Sequence, residues 1–307
     1  MSMMKKLRLA AVALICTLAV LVCGCASFTE RGAAATAPPP AAAAFPVTPA
    51  TTTRIEYGPE PDRFGDLYLP TSSSTALPVV VMIHGGGWRQ ETPLDYFAPL
   101  SRSLADAGVA VWNIEYRRVG GAGGYPTTLL DVAAAVDALA DVVQARADGR
   151  LDLSRVVVAG HSAGGQLAAW VASRHVLPPG SPGAEPRVRP RAATVMAGVF
   201  DLPRAVSTGD AFLVRFLGGS PAHVPDRYAV ASPIRHLPTR VPIHAIHGNA
   251  DRTVPVEQSR MYVDAARGAG DQASLTVMPG VGHGEFGNVT SPAWRLAQAS
   301  ILAQATV

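Results

Sequence analysis

Apolar and polar positions along the chain fall into alternating blocks of two kinds. Residues 77–83, Leu-Pro-Val-Val-Val-Met-Ile, form a continuous apolar run, the mark of a strand buried on both faces. Comparable runs at 109–114, 154–159, 192–197, 242–247 and 273–278 predict further strands. Residues 54–57 and 66–69 read as two short antiparallel strands around a turn. Between the runs, apolar residues recur at helical spacing over 96–107 (stopped by Gly108), 127–145, 166–171, 256–266 and 292–303. Alternation of this kind predicts an α/β domain with a mostly parallel, doubly wound sheet and helices on both faces. Two segments depart from it. Residues 177–191 are rich in proline and glycine and read as a surface loop, and residues 200–240 sit between two sheet strands with one apolar helical piece, Ala211–Leu217. An insertion at that point would lie beyond the C-terminal edge of the sheet as a small cap.

The N-terminal pattern is of another kind. Lys5, Lys6 and Arg8 precede an apolar stretch over 9–22 broken only by Thr17. This reads as a signal peptide over 1–25, too short to span a bilayer comfortably. All three cysteines lie inside it, and Val22-Cys23-Gly24-Cys25 resembles a bacterial lipobox in which Cys25 would be acylated. Cys23 is unusual within such a box, and the plainer alternative is a secretory peptide cut near Ala26. The expectation is export, to the cell envelope with a membrane anchor if Cys25 is acylated and as a secreted protein otherwise. Residues 26–53, rich in Ala, Pro and Thr, read as an extended linker. Residues 54–307 are then the folded domain, of a length suited to one large core and without internal repeats.

Charge and cysteine content narrow the function. The formal charge of +3 falls to zero without residues 1–24, which hold three basic and no acidic residues. Nucleic-acid binding thereby loses its electrostatic footing. The exported domain has no cysteine, so its stability rests on its core and not on disulfides.

The candidate chemistry centres on Val156-Val-Val-Ala-Gly-His-Ser162-Ala-Gly-Gly165, where a β-branched run ends in Gly-x-Ser-x-Gly and passes into an apolar helix. Such a turn is a nucleophile elbow, with Ser162 exposed at the strand tip. A bare Gly-x-Ser-x-Gly is a weak signal in a chain with 29 glycines; the strand–turn–helix context makes it specific. Serine needs a base in hydrogen-bond contact and a carboxylate that orients the base. Of eight histidines, His161 would point away from its neighbour's hydroxyl, and His84 opens a glycine run it would brace. His244 and His247 lie in or at the end of a strand, while His175, His223 and His236 lie in irregular segments. His283, in Pro279-Gly-Val-Gly-His283, follows the last predicted strand and is the candidate base. Asp251, in His247-Gly-Asn-Ala-Asp251, follows the penultimate strand and is the candidate acid, ahead of Asp201, Asp210, Asp226 and Glu285. For the oxyanion, the candidates are the backbone N–H groups of Gly85, Gly86 and Gly87 with that of Ala163. Which two of the three glycines donate is open at this point.

Together these segments resemble the esterase branch of the α/β-hydrolases, which includes hormone-sensitive lipase-like carboxylesterases, feruloyl and acetyl esterases, and kynurenine formamidases. The resemblance runs from about residue 55 to residue 303 and rests on His84-Gly-Gly-Gly-Trp88, Glu115-Tyr-Arg117, Tyr125-Pro126 with Asp131, Gly160-His-Ser-Ala-Gly-Gly165, His247-Gly-x-x-Asp251 and Gly282-His283. The hormone-sensitive lipase branch often carries Ala-Pro-Glu after the Tyr-Arg segment and has a long N-terminal cap; neither is present, which leans towards the feruloyl-esterase and formamidase relatives. The resemblance implies a Ser162–His283–Asp251 carboxylesterase acting on a small-molecule ester, with an amidase or arylformamidase as the alternative. A catalytically silent binding protein on the same fold is the remote third reading. Glu115, Tyr116, Arg117 and Asp131 read as structural supports, and Trp88 with Ala211–Leu217 as pocket walls. No metal-ligand cluster or phosphate-cradling loop is present, so neither metal nor organic cofactor is expected. Oligomeric state is not legible.

Overall fold

The computed structural model describes residues 50–72 and 74–306. The signal segment with Cys25 and the linker up to residue 49 lie outside the described residues.

Eight strands form one sheet: β1 (Thr51–Glu56), β2 (Phe64–Leu69), β3 (Leu77–Ile83), β4 (Ala110–Ile114), β5 (Leu151–His161), β6 (Ala192–Met196), β7 (Ile243–Gly248) and β8 (Ala273–Met278). Their spatial order is β1-β2-β4-β3-β5-β6-β7-β8. Only the β1–β2 and β2–β4 pairs are antiparallel. From β4 to β8 the sheet is parallel. Every residue of β3 is buried, as its unbroken apolar run predicts. Strand β1 starts at Thr51, inside the stretch read as linker, and pairs Thr51, Thr52 and Thr53 with Leu69, Tyr68 and Leu67. β-branched threonine suits an exposed edge strand, so a polar run without apolar alternation still joins the sheet.

The period-2 alternation of the strands divides the core between the two faces. Val79, Val81, Ile83, Trp112, Val156 and Val158 point to one face. There they meet helices α2 (Thr127–Asp137), α4 (Ala163–Ser173) and α8 (Glu257–Gly268). Val80, Met82, Val111, Val157 and Ala159 point to the other. That face is covered by α1 (Ala98–Asp106) and α9 (Pro292–Thr306), whose Leu100, Leu104, Trp294 and Ile301 are buried. This is the α/β-hydrolase fold.

Two further expectations change. The single helix read over 127–145 is two: α2 gives way to a 3-10 turn, Ala138–Ala140, and breaks at Asp141 before α3 (Val142–Arg146). Asp141 has φ −142° and ψ −109°, outside the helical region, and the break lets Val143 turn fully into the core. Asp137, at the end of α2, is drawn away from a capping role because its carboxylate pairs with Arg174 at 2.7 Å and accepts the N–H groups of Arg187 and Val188. The insertion over 200–240 holds three short helices rather than one: α5 (Leu202–Ser207), α6 (Ala211–Leu217) and α7 (Pro225–Ala231). Asp201 and Asp210 cap α5 and α6 through side-chain bonds to Arg204 N and to Phe212 and Leu213 N.

One buried ion-pair cluster ties the start of the domain to α2. The carboxylate of Asp131 accepts both Nε and Nη2 of Arg117, at 2.7 and 2.8 Å, together with the Arg117 backbone N–H, and lies 3.2 Å from Arg63 Nε. Asp131 is 1% exposed, and removing it takes the buried carboxylate from two guanidinium groups, which keep only the partly exposed Glu60 as an acidic partner. Asp131→Ala is expected to cost about 3 kcal/mol of unfolding free energy, measured by urea denaturation. A loss under 0.5 kcal/mol, the size typical of an exposed pair, would show that the cluster contributes little.

Candidate active site

The sharp turn from β5 into α4 is made possible by the residues on either side of Ser162. A Cβ on Gly160 would stand 2.1 Å from the Gly164 carbonyl oxygen, and one on Gly164 would stand 2.0 Å from that of Ile83. Only glycine permits this approach. Between them Ser162 adopts φ 57° and ψ −121°, a strained conformation for a residue with a side chain. The turn projects its hydroxyl from the C-terminal edge of the sheet into a cavity of about 1340 Å³.

The structure brings Ser162, His283 and Asp251 together. Ser162 Oγ lies 2.9 Å from His283 Nε2, and His283 Nδ1–H donates to Asp251 Oδ2 at 2.7 Å. His283 opens a 3-10 turn, His283–Gly287, just after β8, and Asp251 sits in the turn after β7. Asp251 Oδ1 accepts the N–H groups of Thr253 and Val254 at 2.8 and 2.9 Å. Burial pushes the Asp251 carboxyl up, but hydrogen bonds from His247, His283 and Val254 N more than offset it and hold the group well below the usual carboxylate range. Asp251 is therefore charged throughout the range in which an imidazole titrates. The geometry lets His283 take a proton from Ser162 while Asp251 fixes its tautomer.

His247 is a contact that sequence reasoning left as a strand-end histidine. Its Nε2–H faces the Val254 carbonyl at 2.9 Å and Asp251 Oδ2 at 3.3 Å, and its Nδ1 accepts from Ser259 Oγ at 2.7 Å. The His247-Gly-x-x-Asp251 spacing was the signal for this contact.

The glycine run separates into two roles. Gly85 N–H donates to the hydroxyl of Tyr96 at 2.5 Å, so it is taken and does not face the cavity. A Cβ on Gly85 would also lie 2.6 Å from the His161 carbonyl and 3.1 Å from Ser162 Cβ, so its glycine serves close packing. The expectation of Gly85 as a donor is corrected accordingly. Gly86 and Gly87, at φ 102° and 64°, line the cavity, and their N–H groups have no acceptor among the described residues. Ala163 N–H, in the first turn of α4, is likewise free within the described residues. Tyr96, which sequence reading passed over, holds this loop from the side.

Beneath the loop, the supports named from the sequence pack as a unit. His84 Nε2 lies 2.8 Å from Glu115 Oε1, and its ring stacks on Tyr116 at 4.4 Å. The Glu115 carboxylate also accepts the N–H groups of Leu94 and Tyr116 and pairs with Arg118 at 3.1 Å. Trp88 borders the cavity, but its ring is only 2% exposed, stacks on Phe216 at 5.0 Å and donates Nε1–H to Gln166. The more open wall is Phe212 of α6, 40% exposed, with the Arg89 guanidinium 5.0 Å above its ring. Among the described residues no cluster of three or more His, Cys, Asp or Glu could hold a metal ion.

Similarity to known proteins agrees with this frame. The family model described as BD-FAE matches residues 65–265. Esterase LipC of Mycobacterium tuberculosis is 30% identical over 247 residues, which is 75% of this chain and 59% of that protein. A probable isoprenylcysteine alpha-carbonyl methylesterase, ICMEL1, of Oryza sativa is 27% identical over 75% of this chain and 56% of its own length. The chain spans about half the length of the curated relatives it matches. A solved structure titled a truncated form of carbohydrate esterase from gut microbiota superposes with a TM-score of 0.73 at 24% identity, covering 86% of this chain and 99% of that one. Thermogutta terrifontis esterase 2 follows at a TM-score of 0.65 and 24% identity, over 84% and 94%. With the elbow, the sheet order and a family match over most of the folded domain in hand, the chain belongs to the BD-FAE family, an esterase-type family of the α/β-hydrolase fold.

Proposed function

We propose that this chain is an exported serine hydrolase that cleaves carboxylic esters of short acyl or small aromatic acids. The observation that carries the reading is the Ser162–His283–Asp251 relay at one cavity with the free N–H groups of Gly86 and Gly87, and with that of Ala163 next to Ser162 in the chain. Relatives named esterase and carboxylic ester hydrolase support the same class of reaction. In the proposed cycle, Ser162 Oγ attacks the ester carbonyl carbon as its proton passes to His283 Nε2. The oxyanion is held by the N–H groups of Gly86, Gly87 and Ala163. Collapse of the tetrahedral adduct expels the alcohol, which takes the proton from His283 and leaves an acyl group on Ser162. Water, deprotonated by the same histidine, then releases the acid.

Ser162→Ala and His283→Ala are each expected to lower kcat by about 10⁶-fold, and Asp251→Asn by about 10⁴-fold, with the fold retained. Steady-state hydrolysis of p-nitrophenyl acetate, with circular dichroism as the folding control, checks all three. Activity within tenfold of wild type in any variant would remove that residue from the relay.

The preference for short acyl groups is supported by the character of the cavity mouth. Arg89, Glu91, Arg252 and Glu257 border it as exposed charged residues. A wet mouth extracts only part of the ~0.8 kcal/mol available per buried methylene. Across p-nitrophenyl esters of rising acyl length, kcat/KM is expected to peak at acetyl to butyryl. A maximum at long chains with activation at a lipid–water interface would mean a lipase, and faster turnover of an N-formyl arylamine than of any ester would mean a formamidase.

Export and anchoring rest on the sequence of residues 1–25. With Cys25 acylated, the protein should partition with membranes, and Cys25→Ser should move it to the soluble fraction, since lasting attachment takes more than one acyl chain. Mass spectrometry of the mature N-terminus decides the point: an unmodified terminus beyond Cys25 would make it a secreted protein.

A further inference from the structure

His161, the variable position of the Gly-x-Ser-x-Gly turn, occupies a place that the relay itself does not explain. Its side chain bonds to neither Ser162 nor Asp251, and although the residue borders the cavity it is 6% exposed. Nε2 lies 3.0 Å from the backbone carbonyl oxygen of His283. A carbonyl can only accept, so Nε2 carries the hydrogen and Nδ1 is left with its lone pair. That Nδ1 is buried and has no hydrogen-bond partner among the described residues. A buried acceptor without a donor costs stability, and an apolar side chain of similar volume would avoid the cost. The ring also packs 4.6 Å from the His283 ring and 5.8 Å from that of Phe286 in the same turn.

From this arrangement we infer that His161 is a positioning residue for the base, fastening the His283 turn to the nucleophile elbow through one hydrogen bond. The adjoining residue is Ser162, so the bond ties the elbow to the base across 122 positions of sequence, beside the point where the spacing of Ser162 and His283 must hold. The fastening matters because His283 is carried on a 3-10 turn after the edge strand β8, not on a helix or strand of its own. The hydrogen bonds of its side chain go to Asp251 and Ser162, and the turn is tied elsewhere by Ser291 Oγ donating to the Glu285 carbonyl and by buried Phe286. An error of about 1 Å in such a relay costs on the order of 10²-fold in rate. Burial, and then the proximity of His283, press the His161 imidazole down to about 3, outweighing its bond to the His283 carbonyl and the nearby Asp251 charge. His161 is therefore neutral when His283 becomes an imidazolium in the reaction, and adds no like charge beside it.

This role rests on the hydrolase reading, and the test separates the two. His161→Leu removes the donor at similar volume; His161→Gln keeps an N–H donor at about the reach of Nε2. Wild type and both variants are compared by p-nitrophenyl acetate kinetics, by the rate of labelling with a fluorophosphonate, and by thermal unfolding. His161→Leu is expected to lose about 30-fold in kcat and in labelling rate, with KM within twofold and a melting temperature no lower than wild type. His161→Gln is expected to recover kcat to within threefold of wild type. A purely structural role would instead lower stability and the labelled fraction while each labelled site kept its normal rate. That outcome, an unchanged kcat in His161→Leu, or a His161→Gln as slow as His161→Leu would overturn the inference alone. A wild-type protein inert to both ester and fluorophosphonate would overturn the hydrolase reading with it.

Discussion

The site depends on a distance of closest approach. Strand β5 and helix α4 meet so tightly that Gly160 and Gly164 have no room for a Cβ, and the carbonyl of Ile83 on β3 closes the same space from the side. That contact drives Ser162 to positive φ. It also places the first turn of α4, with its free Ala163 N–H, beside the glycine loop that leaves β3. The positions of Ser162 and of the Ala163 N–H are thus set by one packing event between backbones, while Tyr96 and His84 hold the glycine loop beside them. The strain at Ser162 persists because three buried elements enforce it together.

Around that fixed point the structure handles buried charge by a repeated device. Asp251, Glu115 and Asp131 are each closed off from water and each accept at least one backbone N–H as well as a side-chain donor. Asp251 orients the base, Glu115 braces His84 and the start of the glycine loop, and Asp131 anchors the segment that carries Glu115. A buried carboxylate satisfied by backbone amides is rigid, because those amides belong to turns that cannot rotate independently. Glu115 and Asp131 give this support without lining the cavity themselves.

The sheet and the relay were legible for the same reason: both write themselves into short, local patterns. An apolar run such as 77–83 fits few structures other than a buried parallel strand, and Gly-x-Ser-x-Gly between a β-branched run and an apolar helix leaves little choice of geometry. What could not be read depended on partners distant in sequence. The break at Asp141 follows no proline or glycine; it accompanies the inward turn of Val143 and the engagement of Asp137 with the loop after α4. Gly85 looks identical to Gly86 and Gly87 in the sequence, and only the arrival of the Tyr96 hydroxyl distinguishes it. Trp88 reads as a wall because it follows the loop, yet Phe216 and Gln166, far along the chain, draw its ring inward. Phe212, on the piece named as a wall, is left at the surface.

Strand β1 has a consequence of a different sort. It is the outer strand of the sheet, and Thr51 to Arg54 are exposed along it. Such a border, β-branched and unpaired on one side among the described residues, is a template on which a further strand could add. Here Arg54 is held against Asp66 of the neighbouring strand by two bonds of 2.8 and 3.0 Å and lies over the Phe64 ring at 4.1 Å. A charged side chain midway along an open border is one of the devices by which sheet edges are blunted. The first strand of the fold thus sets a charged, self-paired residue on the border where the sheet ends.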